Sequence, residues 1–361
     1  MKILFLEPFF GGSHKEFALG LKVHSCHDIT LVTLPDRFWK WRMRGAALYF
    51  ASQIKNFSDY DVIFTTDMMD LTDFLSLAGP NLPPVVMYFH ENQLSYPLAP
   101  DEKRDFHLGF TNIVSAVAAD KVLFNSHFHF NDFIASAATL IQRMPDVRPG
   151  WMIAKIRQKT QVIYPGCRFA AGLIDLRERD LNRPLIVWNH RWEYDKNPTV
   201  FFDALTQVKA RHIPFSLALL GETFNTFPEV FTQAREEFRQ EIVVFGHVES
   251  REEYLSWLKK GAIVISCATQ ENFGISIVEA IRHGCIPLLP DRLSYPEIIP
   301  KDLHPQILYH TTQDLVEKLE DLLVNYCKYE PLQKRLSMEM ENYSWENTVK
   351  DYDTVLEEVQ H

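Results

Sequence analysis

Short, unbroken apolar runs alternate along the chain with stretches in which apolar residues recur every three or four positions. Lys2 to Phe10 is followed by Gly11 and Gly12, and Ser13 with Glu16 then reads as a capping box, so the opening predicts strand, glycine turn and helix. Similar runs at Ile29 to Leu34, Val62 to Thr65, Val85 to Phe89, Val122 to Phe124 and Val162 to Tyr164 predict further strands, with helical spacing between them. Strands that are apolar on both faces imply a parallel sheet covered by helices on both sides. The rhythm stops over Cys167 to Arg183, where charges cluster, and restarts with strands at Leu185 to Trp188, Phe215 to Leu220, Ile242 to Phe245, Ala262 to Ser266 and Ile286 to Leu289. A second capping box, Ser250 with Glu253, opens one of the later helices.

The expected fold class is therefore α/β, with two Rossmann-like, doubly wound domains. Residues 1–168 form the first, 169–182 a linker, 183–342 the second, and 343–361 a final amphipathic helix with Trp345, Val349, Tyr352, Val355 and Leu356 along one face. Open α/β sheets bind ligands beyond the carboxyl ends of their strands, so two such domains predict chemistry in the strand-end loops and a crevice between the halves. The 361 residues are 46% hydrophobic and 23% charged, the balance of a folded globular protein. The net charge of −10 is uneven: residues 1–180 carry 19 Lys and Arg against 19 Asp and Glu, whereas 181–361 carry 18 against 28. An acidic whole argues against non-specific nucleic-acid binding, but the neutral first half leaves room for a local basic patch. Five separated cysteines without a Cys-x-x-Cys pair fit a reducing compartment, and with neither a membrane span nor a cleavable leader in evidence the expected location is cytoplasmic.

Glu271-Asn272-Phe273-Gly274-Ile275-Ser276-Ile277-Val278-Glu279 straddles a strand end and a helix start. Gly274 lets a ligand approach the backbone, the helix N-terminus can receive a pyrophosphate, Glu279 can accept ribose hydroxyls and Glu271 sugar hydroxyls. Arg191 and Lys196 follow the first strand of the second half, where two cations could stabilise a departing diphosphate without a metal. Gly221 with Glu222, and Gly246 with His247, occupy comparable strand ends. In the first half, His90 follows a strand and could position or relay a proton from an acceptor hydroxyl. Gly12 is placed on the donor side, and Ser13, His14, Glu91 and Asn92 on the acceptor side. The segment Asp36 to Arg44 sets Arg37, Lys40, Arg42 and Arg44 among Phe38, Trp39 and Trp41; cations grip phosphates and aromatic faces stack unpaired bases, so it reads either as an RNA contact or as a basic surface helix.

With these residues, the Glu-x7-Glu segment, the Arg191/Lys196 pair, Leu219-Leu220-Gly221, Phe245-Gly246-His247-Val248 and the terminal Trp-Glu helix, the second half resembles the family-4 retaining glycosyltransferases of the GT-B architecture. In the first half, Glu7-Pro8-Phe9-Phe10-Gly11-Gly12-Ser13-His14-Lys15, Trp39-Lys40-Trp41-Arg42 and Phe89-His90-Glu91-Asn92-Gln93 resemble the tRNA-queuosine α-mannosyltransferases. The resemblance implies retaining transfer of mannose from GDP-mannose to the cyclopentenediol of queuosine at the wobble position of an aspartate tRNA. It implies that Glu279 holds the ribose, Arg191 and Lys196 the diphosphate, Glu271 with the Phe273 to Ile275 backbone the sugar, and His247 the base pocket, with no cofactor and no metal. The glycine usual before the family's arginine is here His190. Two other readings are kept: the same donor chemistry on a lipid, glycan or protein acceptor, and a nucleotide-sensing RNA-binding protein without catalysis.

Overall fold

Two six-stranded, wholly parallel sheets organise the chain. The structure, a computed structural model, describes residues 1–97, 103–169, 179–221 and 228–360. It divides into two compact units, Met1–Arg168 with Tyr343–His361, and Phe169–Asn342. In the first unit β1 (Lys2–Phe10), β2 (Asp28–Pro35), β3 (Val62–Thr66), β4 (Val85–Phe89), β5 (Lys121–Phe124) and β6 (Thr160–Val162) lie in the order β2-β1-β3-β4-β5-β6. In the second, β7 (Leu185–Trp188), β8 (Ser216–Leu220), β9 (Ile242–Gly246), β10 (Ile263–Ile265), β11 (Ile286–Pro290) and β12 (Leu308–Tyr309) lie in the order β12-β11-β10-β7-β8-β9. Among the described residues no helix is long and apolar enough to cross a membrane.

Alternate residues of one strand feed opposite faces of a sheet. Leu4 and Leu6 of β1 join Ile63, Met87 and Phe133 in one core layer, while Ile3 and Phe5 join Phe17, Phe64 and Tyr88 in the other. That second layer is completed by the terminal helix Trp345–Gln360, whose Trp345, Val349, Tyr352, Val355 and Leu356 are all buried against the first unit. The Tyr352 hydroxyl donates to the carbonyls of Ile163 (3.3 Å) and Tyr164 (3.1 Å), which pins the helix to the chain leaving β6.

Four local expectations change. The first helix begins at Gly12, with Gly11 in extended conformation as its N-cap and no side-chain cap. The Ser13/Glu16 capping box does not form, because Gly12 takes a positive φ and starts the helix one residue before Ser13 could serve as a cap. The Ser250 cap does form, its hydroxyl accepting from the Glu253 N–H. β6 covers Thr160–Val162 rather than 162–164, and β12, two residues long, carries no readable periodicity. Within the stretch read as a linker, Asp175, Arg177 and Glu178 lie outside the described residues, whereas Arg179 is buried in the second unit. Its guanidinium donates to the carbonyls of Lys259, His283 and Gly284 and to the Tyr326 hydroxyl, so it locks the chain onto that domain.

Candidate functional site

A switch point arises where consecutive connections leave a strand toward opposite edges of the sheet, and the loops on either side splay open there. In the second unit it lies between β7 and β10. The loop after β7 supplies Arg191 and Lys196, and the loop after β10 supplies Glu271. The structure brings them together: the buried Lys196 Nζ donates to the Gln270 carbonyl at 2.9 Å and lies 3.0 Å from Asp195 Oδ2 and 3.4 Å from Glu271 Oε2. Burial by itself would lower the Lys196 pKa, but Glu271 and Asp195 outweigh it and hold the ammonium above its ordinary range. Arg191 is more open and pairs with Glu193 at 3.3 Å.

Gly274, at φ +97°, is the N-cap of the helix Ile275–Arg282, and this left-handed turn swings the chain from the Glu271 loop into the helix. Ser294 fixes that loop from behind, its hydroxyl donating to the carbonyls of Phe273 (2.9 Å) and Glu271 (3.3 Å). Phe273 is buried, while Ile275 remains partly open at the first helical turn. Glu279 lies inward on the same helix. Arg251 donates to its Oε1 and the Tyr254 hydroxyl to its Oε2 (3.1 Å), both from the helix opened by the Ser250 cap. These two partners were not foreseen; Ser250 was the signal that placed their helix, but its packing face is a tertiary property.

His190 stands where the family glycine is expected. His190 is buried, its ring lowered to a pKa of about 3 by desolvation and by Lys196, and hence neutral. Its carbonyl crowds Gly221, where a Cβ would stand 2.2 Å from that oxygen. His247 sits exposed just after β9, and Glu222 lies outside the described residues.

The first unit has its own switch point, between β1 and β3. Glu7 interrupts the apolar run of β1, is fully buried, and its Oε1 accepts from Phe9 N–H (2.9 Å) and the Thr66 hydroxyl (3.2 Å), with His14 Nδ1 at 3.3 Å. Burial would depress His14, but Glu7 foremost, then Asp67 and Glu91, raise it to about 9, making it a cation. Asp67, directly after β3, is pushed up to about 8 by burial, with Glu91 and Glu7 adding to the shift and His14 opposing it. His90 donates its backbone N–H to Asp67 Oδ1 (2.8 Å) and sets its ring 4.0 Å from that of His14, centroid to centroid; burial, then His14 and His129, keep it neutral. Ligand atoms of Glu7, His14 and His90 all lie within 4.8 Å of one another, a spacing a metal ion could bridge. Glu7 and Asp67 were not among the candidates, although a buried acid in an apolar strand and an acid at a strand end are both readable signals.

The other first-unit candidates scatter. Gly12 and Ser13 are exposed, and Glu91 accepts from Gln93 Nε2 at 2.9 Å. Asn92 turns inward: its Oδ1 accepts from the Leu94 and Ser95 N–H groups, so its side chain shapes the turn. Arg37, Lys40 and Trp41 are exposed at the start of the helix Trp39–Gln53. Arg42 donates to the Pro35 carbonyl, and Arg44 forms an ion pair with Asp70 at 3.2 Å, so the four cations are not equivalent.

Residues 2–167 match the family described as tRNA-queuosine alpha-mannosyltransferase N-terminal, and residues 176–342 match Glycosyl transferases group 1. A Drosophila melanogaster protein named tRNA-queuosine alpha-mannosyltransferase is 38% identical over 340 residues, spanning 90% of this chain and 87% of the relative. The chain belongs to the tRNA-queuosine α-mannosyltransferase family. Among solved structures, sucrose-phosphate synthase from Thermosynechococcus elongatus is similar at a TM-score of 0.77 and 12% identity, covering 99% of both chains. Anabaena HepE in complex with UDP and glucose is similar at 0.65 and 16% identity, covering 99% of this chain and 100% of its own. At such identities the likeness is one of fold, and it places the two parallel α/β units of this family member in the GT-B class.

Proposed function

We propose that the protein is a retaining hexosyltransferase that moves an α-mannosyl group from GDP-mannose to the cyclopentenediol of queuosine at the wobble position of an aspartate tRNA. The observation that carries this reading is the meeting of Lys196 with Glu271 at the β7/β10 switch point in a chain of this family. Arg191 and Lys196 would hold the diphosphate, the N-terminus of the helix Ile275–Arg282 adding unpaired N–H groups. Glu271 and the Phe273 to Ile275 backbone would receive the sugar, Glu279 the ribose hydroxyls, and Gly221 and His247 would border the base. As the glycosidic bond breaks, negative charge grows on the diphosphate, and two fixed cations stabilise it without reorganisation. The departing phosphate then takes the acceptor hydroxyl proton on the same face, which retains the anomeric configuration without a glycosyl-enzyme adduct. The cation pair makes a metal unnecessary for this step, so turnover should persist in EDTA.

The acceptor side falls to the first unit. Arg37, Lys40 and Arg42 suit phosphate contacts and Trp41, 60% exposed, offers a stacking face for an unpaired anticodon-loop base. A tRNA substrate fits a cytoplasmic location. The test is incubation of the protein with labelled GDP-mannose and queuosine-containing tRNA. Label in the tRNA, lost in Glu271→Gln and Arg191→Ala, is expected; no transfer by a folded protein overturns the reading. A thermal-shift screen should show stabilisation by GDP and not by UDP, which settles the nucleotide separately.

A further inference from the structure

We propose that Glu7 and Asp67 form a subsite for a cationic group of the acceptor: the protonated secondary amine that joins queuosine's cyclopentenediol to its 7-deazaguanine. This rests on the acceptor assignment above and adds to it a residue-level basis for recognition. Glu7, in the C-terminal half of β1, and Asp67, directly after β3, lie toward the carboxyl ends of adjacent parallel strands, where an open sheet receives ligands. Their hydrogen bonding is half complete. Glu7 Oε1 serves Phe9, Thr66 and His14, and Asp67 Oδ1 serves His90, yet Glu7 Oε2 and Asp67 Oδ2, both buried, have no partner among the described residues. Buried carboxylate oxygens without donors are costly, and such vacancies in a native fold call for an explanation.

The charge count points to the kind of donor that is missing. Three acids, Glu7, Asp67 and Glu91, act on one cation, His14, while the His90 and His129 rings are held neutral. Asp67 answers the imbalance by retaining a proton in the ordinary pH range. A protonated secondary amine carries two N–H donors and one positive charge; on binding, its charge takes the place of the Asp67 proton, which leaves to solvent, and the two ionised carboxylates then each offer an oxygen to one N–H. A neutral diol would supply the donors and not the charge. A metal ion bridging Glu7, His14 and His90 would supply the charge but must first displace the His14 proton directed at Glu7.

The experiment uses the full chain and anticodon stem-loop RNAs carrying either queuosine or an isostere in which oxygen replaces the amine nitrogen. KM for the RNA is measured by mannose transfer, and GDP affinity is measured in parallel. For the unaltered protein the isostere should raise KM roughly 10- to 100-fold, the worth of a hydrogen bond to a charged group. In Asp67→Asn, KM for the queuosine RNA should rise into the same range, the preference for the amine should shrink to within about threefold, and GDP affinity should not change. Equal KM for the two RNAs with the unaltered protein overturns the subsite while leaving the transfer reading intact, and it does so whether or not Asp67→Asn folds. Transfer to neither RNA overturns the function itself. Stabilisation by added Zn²⁺, abolished in His14→Gln, overturns the amine in favour of a metal.

Discussion

Lys196→Met removes a buried ammonium while keeping the length and apolar stem of the side chain. The Gln270 carbonyl loses a donor at 2.9 Å, and two carboxylates, Asp195 and Glu271, lose a cation at 3.0 and 3.4 Å. Removing one partner of a buried pair costs about 3–5 kcal/mol, because the remaining charge is stranded. The lower end applies here, since Glu271 is partly open to water and can rehydrate. About 3 kcal/mol corresponds to a fall in melting temperature of roughly 6–12 °C for a domain of this size. Turnover should fall further, by roughly 10²–10³, the usual cost of deleting one charge-stabilising donor from a transition state. Differential scanning calorimetry and transfer of labelled mannose measure the two effects. Adding Glu271→Gln separates them: neutralising a stranded carboxylate should recover part of the lost stability and none of the activity. A Lys196→Met protein that melts within about a degree of the parent, or a double variant that regains turnover, would refute the reasoning.

Gly221→Ala should weaken donor binding more than it destabilises the fold, since the new Cβ would overlap the His190 carbonyl and push the loop that carries Arg191; GDP affinity set against melting temperature checks this. Stability should decline with rising pH. A His14 pKa raised from 6.5 to about 9 gives stabilisation that is complete below about pH 6.5 and lost through pH 9, worth up to about 3 kcal/mol, and the raised Asp67 acts in the same direction below pH 8. Melting curves from pH 6 to 9.5 should show this slope, flattened above pH 6.5 in His14→Gln. Trp345→Ala should cost about 3–5 kcal/mol by opening a cavity in the first unit's core, read by denaturant unfolding. Trp41→Ala should weaken tRNA binding by about 1–3 kcal/mol with no change in salt dependence, whereas replacing Arg37, Lys40 and Arg42 should flatten the salt dependence.

The chemistry of the donor loops was legible because it is local. Glycine at 274, acids at 271 and 279 and cations at 191 and 196 stand where a strand ends and a helix begins, and strand ends follow from apolar runs. The acceptor side was less legible. His14 and His90 could be nominated singly, but the close approach of their rings, and the attachment of one to Glu7 and the other to Asp67, depend on β1, β3 and β4 being neighbours.

The order and type of most elements, the two-fold α/β rhythm and the burial of the last helix's apolar face were determined by the sequence alone, since period and run length are properties of consecutive residues. Tertiary structure decided which strands became neighbours, and with that which loops met at each switch point. It turned Asn92 inward, tied Arg44 to Asp70, buried Arg179 in the second unit, and left one oxygen each of Glu7 and Asp67 without a donor among the described residues. The reason is that hydrogen-bond completion and desolvation depend on distances between residues far apart in the chain, which no local pattern encodes.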